Sequence, residues 1–303
     1  MAEDAITLQG TGEAPKEQGS SLLHTIRDWA LMRDVQVGAL LILMCLAAFP
    51  VTSKAMLESW VDLDGYYQHG LLVPFAVGYI LWMRREKLAA LPNKPTIWPA
   101  PLLIGLLYLG HVSTKAGLVF GALAAMMLLT GLVGVWMIFG FKQSLAMAPG
   151  TLYASLGMPL FFQFIDRTTN VFQLWSTAGS YYLLKLTGLD PYKESSTVIQ
   201  LNNFRLEVAV ACSGMKMTLA IVAAAVFLVL IAGLKWWKNL ILVLMAVPYA
   251  IFVNTIRIAI IGVIGETMGS EAGFWFHDYG SYLVLAVAFY GLYKVTQWMG
   301  WKV

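Results

Sequence analysis

A thiol, a guanidinium and an imidazole stand at the edges of long apolar runs in this 303-residue chain. Cys212 lies in EVAVACSGMKM, residues 207–217, where an apolar extended stretch runs into a hydrophobic helix. Arg257 closes NTIR, three residues after Asn254, so the two share one helix face. His277 and Asp278 lie in FHDYGS, just before the last apolar run. These are the parts of thiol acyl transfer. A thiolate needs its pKa lowered from about 8.5, and a nearby cation does that. His277 can take the thiol proton and later protonate a leaving amine. Arg257 can stabilise the thiolate or the oxyanion of a tetrahedral intermediate. Asp278 or Asn254 can orient a partner. Gly214 permits a sharp strand-to-helix turn and close substrate approach. The amides from Ser213 to Met215, at a helix start, can face an anion.

Taken singly, each residue has a plainer reading. Cys212 fits as a small packed side chain and His277 as a solvated loop residue. Arg257 fits as an interfacial cation or as an ion-pair partner of Glu266 or Asp278. It weighs more toward function, because an ionisable side chain within a span is costly. His69, in QHG, reads equally as an interfacial histidine and as a residue lining the substrate's approach. Lys216, one turn into the helix past Cys212, can lower the thiol's pKa or reach outward to solvent, and the second reading is preferred.

What must position these residues is a membrane fold. Hydrophobic residues make up 59% of the chain and charged ones 12%, against about 45–50% and about 25% in soluble domains. Several runs approach the roughly 20 apolar residues that cross a bilayer as a helix, and none shows the alternation of a membrane β-barrel. The expected fold is an all-α polytopic membrane protein of about eight transmembrane helices, near 35–52, 69–84, 98–113, 117–140, 144–162, 214–233, 239–264 and 280–299. Residues 1–34 read as a mostly disordered cytoplasmic tail with no cleaved signal peptide, with a short interfacial helix near 21–34. Residues 35–299 form one catalytic membrane domain, and 300–303 a short cytoplasmic end. The Lys and Arg residues are scattered at span ends, so no nucleic-acid partner is expected. Cys45 and Cys212 lack metal-ligand spacing, and neither a metal nor another cofactor is expected. Cys45 reads as a packing residue. GLVFG, 117–121, has the small-xxx-small form of helix packing.

Short loops set the orientation. With the N-terminus inside, Arg84, Arg85, Lys87, Lys142, Lys235, Lys238, Lys294 and Lys302 all fall on the cytoplasmic side, and both termini are cytoplasmic. Arg257 comes 19 residues after Lys238, or about 28 Å along a helix, near the outer face of a hydrocarbon core about 30 Å thick. Cys212 and His277 each begin an inward-going span. Three reactive groups from three consecutive spans therefore meet at one depth on the outer side. Residues 163–212 form an extracytoplasmic insertion. An amphipathic helix at 163–187, on or dipping into the outer leaflet, precedes a β-hairpin. Phe204, Leu206, Val208 and Val210 alternate with polar or small residues, and Asn202-Asn203 supplies the turn. The hairpin is expected to end at Ala211 and deliver Cys212 to the sixth span.

ACSGMK (211–216), NTIR (254–257) and His277 before a final span resemble the exosortase/archaeosortase family. So does YYQHGLLVPFAVGYILWMRR (66–85), close to that family's Y-x-HG-L…P…LW-x-RR signature. The resemblance covers roughly residues 35–299. It implies a multi-pass membrane cysteine protease or transpeptidase of the inner membrane, with its active site on the periplasmic side. Its substrates would be membrane-anchored proteins with C-terminal sorting tails, often PEP-CTERM in type: a short motif, an apolar helix and a basic end. The family's Cys, Arg and His fall on Cys212, Arg257 and His277. Two other classes stay open, a transporter or flippase of polysaccharide export and a thiol-dependent membrane acyltransferase acting on lipid.

Overall fold

The computed structural model describes residues 33–62, 65–116, 120–160, 162–209 and 213–301. The expected N-terminal tail up to residue 32, the first three residues of GLVFG and Cys212 lie outside the described residues. The chain divides after Met44 into two compact units. The first contributes the start of α1 (Arg33–Ala48), and everything from Cys45 onward belongs to the second.

Proline chemistry sets several helix boundaries. Phe49, at φ −121° and ψ 61°, ends α1 ahead of Pro50, which opens α2 (Pro50–Val61), since a residue before proline is driven out of the helical region. The first expected span is thus broken. A 3-10 turn (Gln68–Leu72) leads into α3 (Val73–Met83), with Pro74 in its first turn. The short α4 (Arg85–Ala89) follows, then α5 (Ala100–Lys115), α6 (Phe120–Phe139) and α7 (Phe141–Ala154). A 3-10 turn at Ser155–Gly157 precedes α8 (Phe162–Leu186). The last third holds α9 (Met215–Ala232), α10 (Trp236–Met268), the short α11 (Ser270–Trp275), a π-helical turn (Phe276–Gly280) and α12 (Ser281–Trp298).

This is an all-α membrane architecture. Among the described residues three helical stretches are long and apolar enough to cross a bilayer: Gly121–Phe139, α9 and α10. Counting each of two bent pairs, α1 with α2 and α7 with α8, as one span brings the number to five. The expected spans fall on helices only in part: the first is broken at Phe49, the fifth outruns α7, which ends at Ala154, and α3 and α5 have only 11 and 16 residues. Small residues let the later helices approach closely, with Ala225 of α9, Ala246 and Ala250 of α10 and Ala288 of α12 sharing one buried cluster.

α8 is polar on its inner face. Thr169, Gln173, Ser176, Thr177 and Ser180 are buried, while Phe164, Leu174, Trp175 and Tyr182 are exposed. That arrangement suits a lipid-facing helix, whose polar groups must find partners within the protein. It packs along α10, where a Cβ on Gly179 would sit 2.7 Å from Thr255.

β1 (Tyr192–Lys193), β2 (Val198–Gln200) and β3 (Arg205–Glu207) form an antiparallel meander, with Ile199 opposite Leu206. Phe204, Leu206 and Val208 are buried and Arg205 and Glu207 exposed, the period-2 pattern of a half-buried strand. The third strand ends at Glu207, with one further bond from Val208 N to Thr197 O at 2.9 Å, and the expected end at Ala211 lies outside the described residues. The buried face packs on Leu184 of α8 and on Ile258 and Ile261 of α10. Glu266 accepts hydrogen bonds from the backbone N and Nδ2 of Asn203, at 2.8 and 3.0 Å. It thereby fixes the β2–β3 turn to α10.

Candidate active site

α10 carries the first two groups. Asn254 is fully buried and Arg257 is 8% exposed. Their spacing of three puts them on one face, and Arg257 Nη1 donates to Asn254 Oδ1 at 3.3 Å. Arg257 Nε donates to Ser281 Oγ at 2.6 Å. Ser281 opens α12, and its hydroxyl donates to the backbone oxygen of His277 at 2.5 Å. His277 belongs to the π-helical turn, a wide turn that often marks functional positions. A chain of bonds therefore runs from Asn254 through Arg257 and Ser281 to the turn that carries the imidazole.

His277 Nδ1 lies 2.8 Å from Asp278 Oδ1. With Nδ1–H donating to the carboxylate, Nε2 keeps its lone pair and can act as a base. The His277 side chain is 35% exposed, open enough to meet a substrate. Of the two acidic groups that stood as plain ion-pair partners for Arg257, Glu266 bonds the Asn203 turn and Asp278 bonds His277.

The start of α9 abuts the same group. Gly214 has φ +89°, a left-handed conformation that glycine adopts without steric cost. A Cβ there would fall 2.5 Å from Asn254 Nδ2, so only glycine lets the α9 start seat against Asn254. Ser213 is buried, and its Oγ accepts from the Met215 amide at 3.3 Å.

α8 holds both flanks of this junction. Gln173 Nε2 donates to Val208 O at 2.5 Å, and Ser176 Oγ to Ser213 O at 3.4 Å. One helical turn of α8 thus ties the end of the sheet and the beginning of α9 together. Cys212, between these two anchors in sequence, lies outside the described residues.

His69 is engaged elsewhere. Its Nε2 pairs with Leu156 O at 2.9 Å, its ring stacks on Tyr67, and neighbouring Trp60 donates to Gly157 O at 2.6 Å. The two rings clasp the turn at the end of α7. Cys45 is a free, buried thiol beside Gly131. Among the described residues no cluster of His, Cys, Asp and Glu could hold a metal ion.

Three contributors were not singled out from sequence: Ser281, Gln173 and Ser176. Ser281 stands four residues after His277, on its face of a helix, and that spacing is the available signal. Gln173, Ser176 and Ser180 follow the 3-4 rhythm of one helix face, but rhythm alone does not say which side turns inward.

Neither the curated proteins nor the solved structures contain a match to this chain. Residues 60–293 match the sequence model of the transmembrane exosortase family, a span that runs from Trp60 through Asn254, Arg257 and His277. With that much of its length matched, the chain belongs to the transmembrane exosortase family.

Proposed function

We propose that this protein is a membrane-embedded cysteine transpeptidase or protease that removes C-terminal sorting tails, PEP-CTERM-like in type, from exported proteins. The observation that carries the reading is the bonded chain Asn254–Arg257–Ser281–His277, seated against the Ser213–Gly214 start of α9. Family membership supports it, and one peptide bond joins Cys212 to Ser213. His277 Nε2 takes the Cys212 thiol proton. The thiolate adds to the scissile carbonyl, and Arg257 stabilises the oxyanion that forms. The C–N bond breaks, His277 protonates the departing amine, and a thioacyl enzyme is left. An amine or water then attacks the thioester and regenerates the thiol. Asp278 holds the imidazole tautomer that can do this. Gly214, Ser213 and Asn254 shape the anion-facing junction, while His69 bonds the turn after α7.

On this reading the chain crosses the inner membrane eight times, with both termini cytoplasmic and the site at the outer face. The test is a tagged reporter ending in a short motif, an apolar helix and an Arg-rich run, expressed with the wild-type protein or with Cys212→Ala. The wild type trims the tail, and the variant leaves the full-length reporter to accumulate. Equal trimming by both sinks the mechanism.

A further inference from the structure

We propose that Ser281 is a positioning residue that locks the guanidinium of Arg257 to the turn bearing His277, so that cation and imidazole are held as one unit. The role rests on the catalytic reading above. A serine hydroxyl has one hydrogen to give and lone pairs with which to accept. Here both functions are in use, accepting from Arg257 Nε at 2.6 Å and donating to His277 O at 2.5 Å. The first bond has a charged donor, which makes it short and strong, and Arg257 is buried, where weaker screening strengthens it further.

Position in the fold gives the bond its leverage. α10 supplies the cation, whereas the imidazole sits on the π-helical turn between α11 and α12. The Ser281 hydroxyl reaches back four residues to the His277 carbonyl. The same oxygen reaches across to α10. The Ser281 oxygen thus links the guanidinium to the backbone of the turn that bears the imidazole, and it need not touch substrate.

Alanine is the stronger helix former, so Ser281→Ala removes the hydroxyl without weakening α12, and Ser281→Thr restores it. The measurement uses full-length protein in liposomes and a synthetic sorting-tail peptide as substrate, with iodoacetamide alkylation of Cys212 followed against pH. Ser281→Ala should lower kcat about tenfold to a hundredfold, the scale of a small misplacement of reacting groups, with KM within about twofold. It should also move the alkylation midpoint upward, and Ser281→Thr should recover both. A purely structural serine would change the amount of folded protein and leave the midpoint in place. Processing that survives Cys212→Ala overturns the catalytic reading and this role with it. Processing lost in Cys212→Ala but near wild type in Ser281→Ala overturns this role alone, as does a Thr variant no better than Ala.

Discussion

The side chain of Asn254 fills the space where Gly214 would carry a Cβ: that atom would lie 2.5 Å from Nδ2 and 2.6 Å from Cγ. The first residue of the α9 junction therefore lies directly on the residue that bonds Arg257. Gly214→Ala faces this overlap as well as a φ of +89°. The strain amounts to about 1–3 kcal/mol, and thermal unfolding in detergent should show it. Tail processing should fall together with stability. Adding Asn254→Ala to Gly214→Ala removes the contacts to Nδ2 and Cγ but leaves the Cβ of residue 254 at 2.9 Å and the backbone strain, so a double-mutant cycle should show partial coupling between the two sites. Strict additivity would contradict the contact.

Gln173→Leu removes the buried amide that Val208 O accepts. A buried acceptor that loses its donor costs about 1–3 kcal/mol, and the sheet-to-α9 junction loses one of its two ties. Processing per folded molecule should drop. Ser176→Ala breaks a longer bond, 3.4 Å, and should do less. A Gln173→Leu protein with normal melting and normal processing would remove α8 from the site.

Asp278→Asn puts an amide where the carboxylate now accepts from His277 Nδ1. The imidazole can then adopt the tautomer with its hydrogen on Nε2, which is the wrong one for a base. Processing should fall by about 10²-fold or more, within the range attributed to positioned acid–base groups. Asp278→Glu should retain more activity than Asn. Nitrogen chemical shifts of labelled histidine give an independent reading of the tautomer.

Arg205 donates from Nε to Glu194 at 2.9 Å and from Nη1 to Glu207 at 3.1 Å. The bond from Arg205 holds the Glu194 carboxyl below its ordinary value of 4.5. A carboxylate depressed in the folded state contributes stability above its unfolded pKa, and this is lost as pH falls through the folded one. Amide exchange in β2 and β3 should therefore accelerate, beyond the intrinsic change, as pH drops below 4.5. Glu194→Gln should abolish that step. The pair is exposed, so the effect is small and should shrink with added salt. An unchanged acid step in Glu194→Gln would assign it to another group.

Apolar length made α6, α9 and α10 legible in the sequence, because it follows from local chain geometry. The alternation Phe204–Leu206–Val208 likewise showed which strand residues turn inward. α8 was harder to read. Its polar stripe is visible, but in water that stripe would face out and here it faces in, bonding Val208, Ser213 and Thr255. Periodicity records a face and leaves its direction to the solvent. Ser281 was missed for another reason, because its role comes from Arg257, which is 24 residues away in sequence. The break at Phe49 was foreshadowed by Pro50 but masked by the apolar run around it.

α10 has 33 residues, about 50 Å of helix. Even at a tilt of about 40° it exceeds a hydrocarbon core of about 30 Å. Wherever the bilayer sits along it, part of this rod extends beyond the hydrocarbon, and its far end carries the β2–β3 turn through Glu266. Arg257 is rooted in the same rod. On the proposed reading α10 is thus a height gauge, fixing how far above the lipid a peptide bond must lie to be cut. Extended chain advances about 3.3 Å per residue. Two residues inserted between a substrate's motif and its own membrane helix would lift the target bond about 7 Å past the mark.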